Sequence, residues 1–201
     1  MDEEGRLKAV EGLELAKIAS LDAFEVIAIL CARMLQCSVA AIIVVGRGHN
    51  RILAQTGLEL SETRRAGSFC SACIAQGEPL IIADAAADPL FNAHPFVTET
   101  LSIRSYIGIP LRIGEGFHLG TLCAMSPEPD AFSQADIRTL EQFSLLAEKG
   151  LFAHANGMEL VRAISSLREL NQLFKQAEVA AQIGSWRVDF DTGELRWSRQ
   201  V

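Results

Sequence analysis

The chain has 201 residues, 49% hydrophobic and 21% charged, a balance that supports one globular domain of ordinary size with an appendage. Its net charge of −7, with no basic patch or stripe, argues against a nucleic-acid partner. The acidic start, Met1-Asp2-Glu3-Glu4, has no apolar stretch of the kind secretory signals carry. The longest apolar run, Val39 to Val45, is far short of the roughly 20 residues that span a bilayer, so the sequence predicts a cytoplasmic protein with no membrane partner.

Leu7, Val10, Leu13, Leu15 and Ile18 recur at helical spacing and predict a helix over residues 7–19. Ser20 is placed to cap a second helix from Leu21, whose apolar face would be Phe24, Ile27, Ala28, Cys31, Met34 and Leu35. Val39 to Val45 is apolar and rich in β-branched residues, which predicts a central strand buried on both faces. Gly46 to Asn50 reads as a turn, and Arg51 to Thr56 as a returning edge-like strand. Ser68 can cap a helix from Phe69 to about Gln76 that Gly77 ends. Pro79 to Ala83 reads as a short strand. Asp88-Pro89 reads as the capped start of one helical turn reaching Ala93.

Ile103 to Ile113 and His118 to Met125 predict a hairpin closed by Gly114-Glu115-Gly116. Ser133 and Asp136 sit at capping-box spacing, and Phe132 and Ile137 at staple spacing, so a helix starts at Gln134. No proline interrupts it before Gln182; Gly150 and Gly157 are its weak points. Along it, Leu160, Ile164, Leu167, Asn171 and Phe174 follow the spacing of a coiled-coil seam with one polar position. Trp186, Val188 and Phe190 then alternate, Asp191-Thr192-Gly193-Glu194 turns, and Leu195 and Trp197 alternate again. Two short strands cannot hold a core alone, so the chain is expected to stop inside a second domain.

The strings Gly67-Ser68-Phe69-Cys70, Pro79 to Asp84, Asp88-Pro89-Leu90-Phe91, Arg104 to Leu111 and Gly120-Thr121-Leu122-Cys123 occur in this order. Together they resemble bacterial GAF domains over roughly residues 10–152. Residues 177–201 resemble the opening of a PAS domain, and the helix between resembles a signalling helix. The resemblance implies an α/β (α+β) fold with a central antiparallel sheet of five to six strands, helices on both faces and a long C-terminal helix. The implied organisation is a sensory domain over 1–152, a helical linker over 153–178 and a truncated PAS start over 179–201. It implies a regulatory input module of a sensor histidine kinase or diguanylate cyclase in a two-component-type system. Such a module would form a homodimer through its terminal helices, and the output enzyme would lie outside the chain. By the same resemblance, a small-molecule pocket would involve Phe69, Cys70, the Phe91 to Val97 connection with Phe96, Tyr106, Thr121 and Cys123. No cofactor is named by any of these residues.

Several chemistries compete for these positions. The five cysteines, Cys31, Cys37, Cys70, Cys73 and Cys123, are an odd count and read as free thiols. Cys70 and Cys73 share one helix face, as a redox pair or zinc half-site would, yet no second cysteine pair or spaced histidine completes a metal site. A core role is the simpler reading. Free methionine sulfoxide reductases also resemble GAF domains. The Phe91 to Arg104 connection, where that family places its catalytic cysteine, contains none. The same lack argues against a covalent bilin. His94 is the natural candidate for a haem axial ligand, with a solvated loop residue as the plainer reading. The Asn-Lys-Phe-Asp-Glu signature of cyclic-nucleotide-binding members is absent, since Phe96 is followed by Val97-Thr98-Glu99. Asp84 reads as a turn residue and Asp88 as a cap. The remaining alternative is a side-chain-filled domain that serves only as a dimerising spacer.

Overall fold

A computed structural model describes residues 2–15, 21–99, 101–113, 116–181, 186–188 and 195–197. The chain divides into two compact units, Met1–Ala155 and Asn156–Val201.

The first unit is organised by strand β1, Val39–Val45, buried at every position. Successive side chains point to opposite faces of a strand, so an unbroken apolar run fills both. Ala40, Ile42 and Val44 join one apolar cluster, and Val39, Ala41, Ile43 and Val45 join the other. Around β1 the strands are β2 (His49–Thr56), β3 (Glu62–Arg64), β4 (Leu80–Ile82), β5 (Ser105–Ile113) and β6 (Phe117–Ser126). They form one six-stranded sheet in the order β3-β2-β1-β6-β5-β4, antiparallel at every pairing. The fold is thus a mixed α/β one with the antiparallel sheet the sequence implied. One edge differs from expectation. β3 covers β2, pairing His49 with Arg64 and Arg51 with Glu62. Three residues are too few to show an alternation, so β3 left no pattern in the sequence.

Helices α1 (Glu3–Gly12) and α2 (Leu21–Met34) and the beginning of α5 (Gln134–Ala181) contribute to the first cluster. Phe24, Ile27, Ala28, Cys31 and Leu35 are buried as the periodicity predicts. Met34, expected with them, lies at the margin of the stripe and is 60% exposed. α1 starts four residues earlier than residue 7 because Asp2 caps it, accepting the Gly5 N–H at 3.0 Å, with Glu3 and Glu4 in the favourable first turn. Arg6 is wholly buried, donating to the Val45 carbonyl at 2.6 Å and to Glu3 at 2.8 and 2.9 Å. Ser20, the expected cap of α2, lies outside the described residues.

α5 begins as its capping signals predict. The Ser133 N–H donates to Asp136 at 2.8 Å and the Asp136 N–H donates to Ser133 Oγ at 3.3 Å. Ile137, Leu140, Ala147 and Leu151 bury themselves in the first cluster, and the half-buried Phe132 packs on it. The unit boundary falls within α5. In the second unit, Leu160, Ile164 and Leu167 are exposed on the helix. β7 (Trp186–Val188) pairs antiparallel with β8 (Leu195–Trp197), which is the expected hairpin. Its turn and Phe190 lie outside the described residues. Among the described residues, no helix is long and apolar enough to cross a membrane.

Candidate ligand site

The sheet's second face carries α3 (Phe69–Gln76) and the one-turn helix α4 (Pro95–Thr98). Ser68 accepts the Ser71 N–H, and Gly77 ends α3 in the left-handed conformation at φ 77°, as the sequence predicts. Asp88 accepts the Leu90 N–H at 2.8 Å, but residues 89–93 form turns rather than the expected helical turn. The helix comes one step later. Pro95 fixes its first position, and His94 caps it, its Nδ1 accepting the Phe96 N–H at 3.1 Å.

Phe69, at the start of α3, is sandwiched between two near-parallel rings. Phe91 stacks at 4.2 Å between centroids and Tyr106, from β5, at 4.7 Å. His94 tilts against Phe69 at 4.9 Å and meets Phe96 edge-on at 5.1 Å. All three stacked rings are buried, together with Cys70, Thr121 and Cys123. Tyr106 of β5 and Cys123 of β6 reach this face by the alternation of side chains along their strands, their neighbours Ile107, Leu122 and Ala124 pointing to the other.

Cys70 lies beside Cys123, Thr121 and Tyr106. The nearby Cys123 thiol, and then the Thr121 and Tyr106 hydroxyls, favour the thiolate of Cys70 and hold it below the usual thiol range against the effect of burial. The same contact with Cys70, and then burial, pushes the Cys123 thiol well up. Burial chiefly pushes up the Tyr106 phenol. Neither the Tyr106 nor the Thr121 hydroxyl has a well-aligned hydrogen-bond partner, so proximity to sulfur leaves both under-satisfied. Cys73 faces elsewhere. Its thiol donates to the Gly108 carbonyl at 3.3 Å, and burial pushes it up to about 12. Among the described residues, no group of three or more His, Cys, Asp or Glu side chains is placed to hold a metal.

The open space lies beside this packed cluster. A cavity of about 640 Å³ is lined by Gly57, Leu58, Glu59 and Leu60 from the β2–β3 connection and by Pro95, Phe96, Glu99 and Leu101 from the α4 segment. Its volume suits a small organic ligand. Of the residues singled out from the sequence, Phe96 lines it. Phe69, Cys70, Phe91, Tyr106, Thr121 and Cys123 are brought together instead as core behind it. The connection that supplies Leu58, Glu59 and Leu60 was missed. Its one visible signal was Gly57, which adopts φ 79° and where a Cβ would collide with the Ser38 carbonyl oxygen.

His94 is not a solvated loop residue. It is half-buried, and burial pulls its pKa down, so the ring is neutral at neutral pH. Because Nδ1 accepts a hydrogen bond, the ring proton sits on Nε2, which removes the lone pair an axial metal ligand needs. Asp84 does bond turn backbone, accepting the Ala86 N–H at 3.1 Å. It also grips Arg104 through both carboxylate oxygens at 2.6 and 2.7 Å.

The six-stranded antiparallel sheet with helices on both faces defines a mixed α/β domain, and the comparisons name its family. Residues 21–151 match the GAF domain family, and the chain belongs to it. A cyclic di-GMP phosphodiesterase of Pseudomonas aeruginosa is 33% identical over 146 residues, covering 72% of this chain and 25% of that protein. The chain thus spans a quarter of that relative's length. Among solved structures, the free methionine-R-sulfoxide reductase of Neisseria meningitidis in complex with its substrate is similar at TM-score 0.57 and 19% identity, covering 75% of this chain and 86% of that one. The blue-light-absorbing PixJ GAF domain of Thermosynechococcus elongatus is similar at TM-score 0.54 and 21% identity, covering 74% and 92%. At these identities the structures share the fold. The family match ends at residue 151 and does not reach the helix beyond it or the hairpin.

Proposed function

We propose that this chain is a regulatory input domain of a bacterial signalling protein, in which occupancy of the cavity beside Phe96 is relayed to α5. The observation that carries this reading is an unbroken run of ring contacts. Phe96 at the cavity wall meets His94, His94 meets Phe69, and Phe69 stacks on Tyr106 in β5. The next residue along β5, Ile107, points to the opposite face and shares a cluster with Leu140 and Leu151 of α5. A shift of α4 therefore has a packed route through the sheet to the helix, and packed cores switch between discrete arrangements rather than deforming smoothly.

The relative in Pseudomonas supports an output enzyme of cyclic-dinucleotide signalling; a histidine kinase is the less supported partner. The exposed leucines and isoleucine of α5 support pairing with a second copy, and the hairpin at residues 186–197 is consistent with the start of a PAS module.

Hydrogen exchange tests the relay without a ligand. Phe96→Ala is expected to change the protection of α5 amides at residues 137–151 relative to the parent chain. Unchanged protection there would remove the relay. Reductase activity on free methionine sulfoxide, lost in Cys70→Ser, would replace it with an enzymatic reading.

A further inference from the structure

We propose that the cavity between the β2–β3 connection and α4 takes an organic cation with a flat apolar body, such as an aromatic amine. This rests on reading that cavity as the ligand site and adds the chemical class. The walls are apolar: Leu58 is buried, Leu101 and Phe96 are half-buried, and Leu60 stands 45% exposed at the lip. A lone leucine on a surface needs no explanation, but one on the rim of an apolar cavity of about 640 Å³ offers a guest contact area.

Glu59 and Glu99 are the charged residues among the described lining, one from each wall. No lysine, arginine or histidine lines the cavity among the described residues, and the adjoining Thr100 carries no charge. The nearest ring nitrogen base, His94, is neutral, its pKa lowered by burial and its Nδ1 occupied by the cap of α4. The arginines of this unit that form ion pairs are engaged elsewhere: Arg6 and Arg65 with Glu3, Arg47 with Glu4, and Arg104 with Asp84. The charged side chains lining the cavity are thus both carboxylates, and among the described lining residues no cationic side chain balances an anion. A cyclic dinucleotide, with two phosphates, is the wrong sign for it. A cation that lays its apolar body on Phe96 and Leu58 and leaves its ammonium group at the mouth, between the two carboxylates, satisfies both parts.

A matched trio on one indole frame tests the class by calorimetric titration of the full chain at low salt. The three probes are tryptamine (cationic), tryptophol (neutral) and indole-3-acetate (anionic). Tryptamine is expected to bind about tenfold more tightly than tryptophol, a ratio equivalent to about 1.4 kcal/mol, with indole-3-acetate weakest. The double substitution Glu59→Gln with Glu99→Gln, at two exposed positions, is expected to remove the preference of tryptamine over tryptophol. Added salt should narrow the ratio in the parent chain. Leu60→Trp, at the lip, should weaken all three. Equal binding of the three probes would overturn the proposed class and leave the cavity as a ligand site. Binding by none would overturn the proposal, and the relay would still be judged by its ligand-free exchange experiment.

Discussion

The ring of Phe24 lies where a side chain at position 150 would stand. A Cβ on Gly150 would come within 3.0 Å of Phe24 Cε1. The glycine that looks like a weak point in the sequence of α5 is thus the place where α2 approaches it closely. Gly157, one heptad on, has nothing within 4 Å of its Cβ position. The two glycines should respond in opposite directions. Gly150→Leu is expected to lose about 1–3 kcal/mol through overpacking, read from the urea midpoint. Gly157→Ala is expected to gain about 0.5–1 kcal/mol from helix propensity alone. Equal responses would mean that Phe24 does not hold α5.

The ring stack separates packing from polarity. Phe69→Ala removes the central ring and should cost about 3–5 kcal/mol. Tyr106→Phe deletes only a buried hydroxyl that has no aligned partner, and is expected to be neutral or stabilising by up to about 1 kcal/mol. A clear loss of stability in Tyr106→Phe would show that the hydroxyl makes a bond worth keeping, with Cys70 as the first suspect.

The acid response of α1 follows from Glu3. Hydrogen bonding to Arg6, and also to Arg65, lowers its pKa to about 2. A carboxylate depressed on folding contributes stability that is complete above its unfolded value near 4.5 and fades as the pH falls towards 2. The parent chain should therefore lose stability across that window. Glu3→Gln should flatten this part of the profile and, by leaving buried Arg6 without a counter-charge, cost about 1–2 kcal/mol at pH 7 after allowing for the exposure of Glu3. Chemical denaturation at several pH values checks both. An unchanged acid limb would place the titrating group elsewhere.

The exposed seam of α5 bears on assembly. Leu160 is 62% exposed and Leu167 66% exposed. Placing Lys at both Ile164 and Leu167 is expected to convert a dimer to a monomer in light scattering, with the far-ultraviolet signature of the first unit kept. A parent chain that is already monomeric at tens of micromolar would end the pairing account.

Much of the architecture was legible because single signals were strong. Val39 to Val45 could only be a strand buried on both faces, and Ser68 with Gly77, or Ser133 with Asp136, mark helix ends through hydrogen bonds local in sequence. The site was less legible. Phe69, Phe91 and Tyr106 are aromatic residues in the segments where a pocket was expected, but whether such rings line a space or fill it depends on packing across three separated segments. Here they fill it. The cavity walls at Leu58, Glu59 and Leu60 carry no periodic pattern, and α4 is one turn set by a histidine cap. Met34 shows the remaining limit: periodicity gives the direction of a helix stripe but not where the neighbouring elements stop covering it.

The aromatic sandwich behind the cavity also sets a depth limit on whatever enters. A guest that stays between Leu60 and Phe96 meets a finished wall, whereas a longer one must displace Phe96 and His94 before it reaches the stacked Phe69. The domain should therefore respond in graded fashion to guests that stop at the vestibule and abruptly to any that breach it, so the length of a molecule, as well as its charge, decides whether it registers.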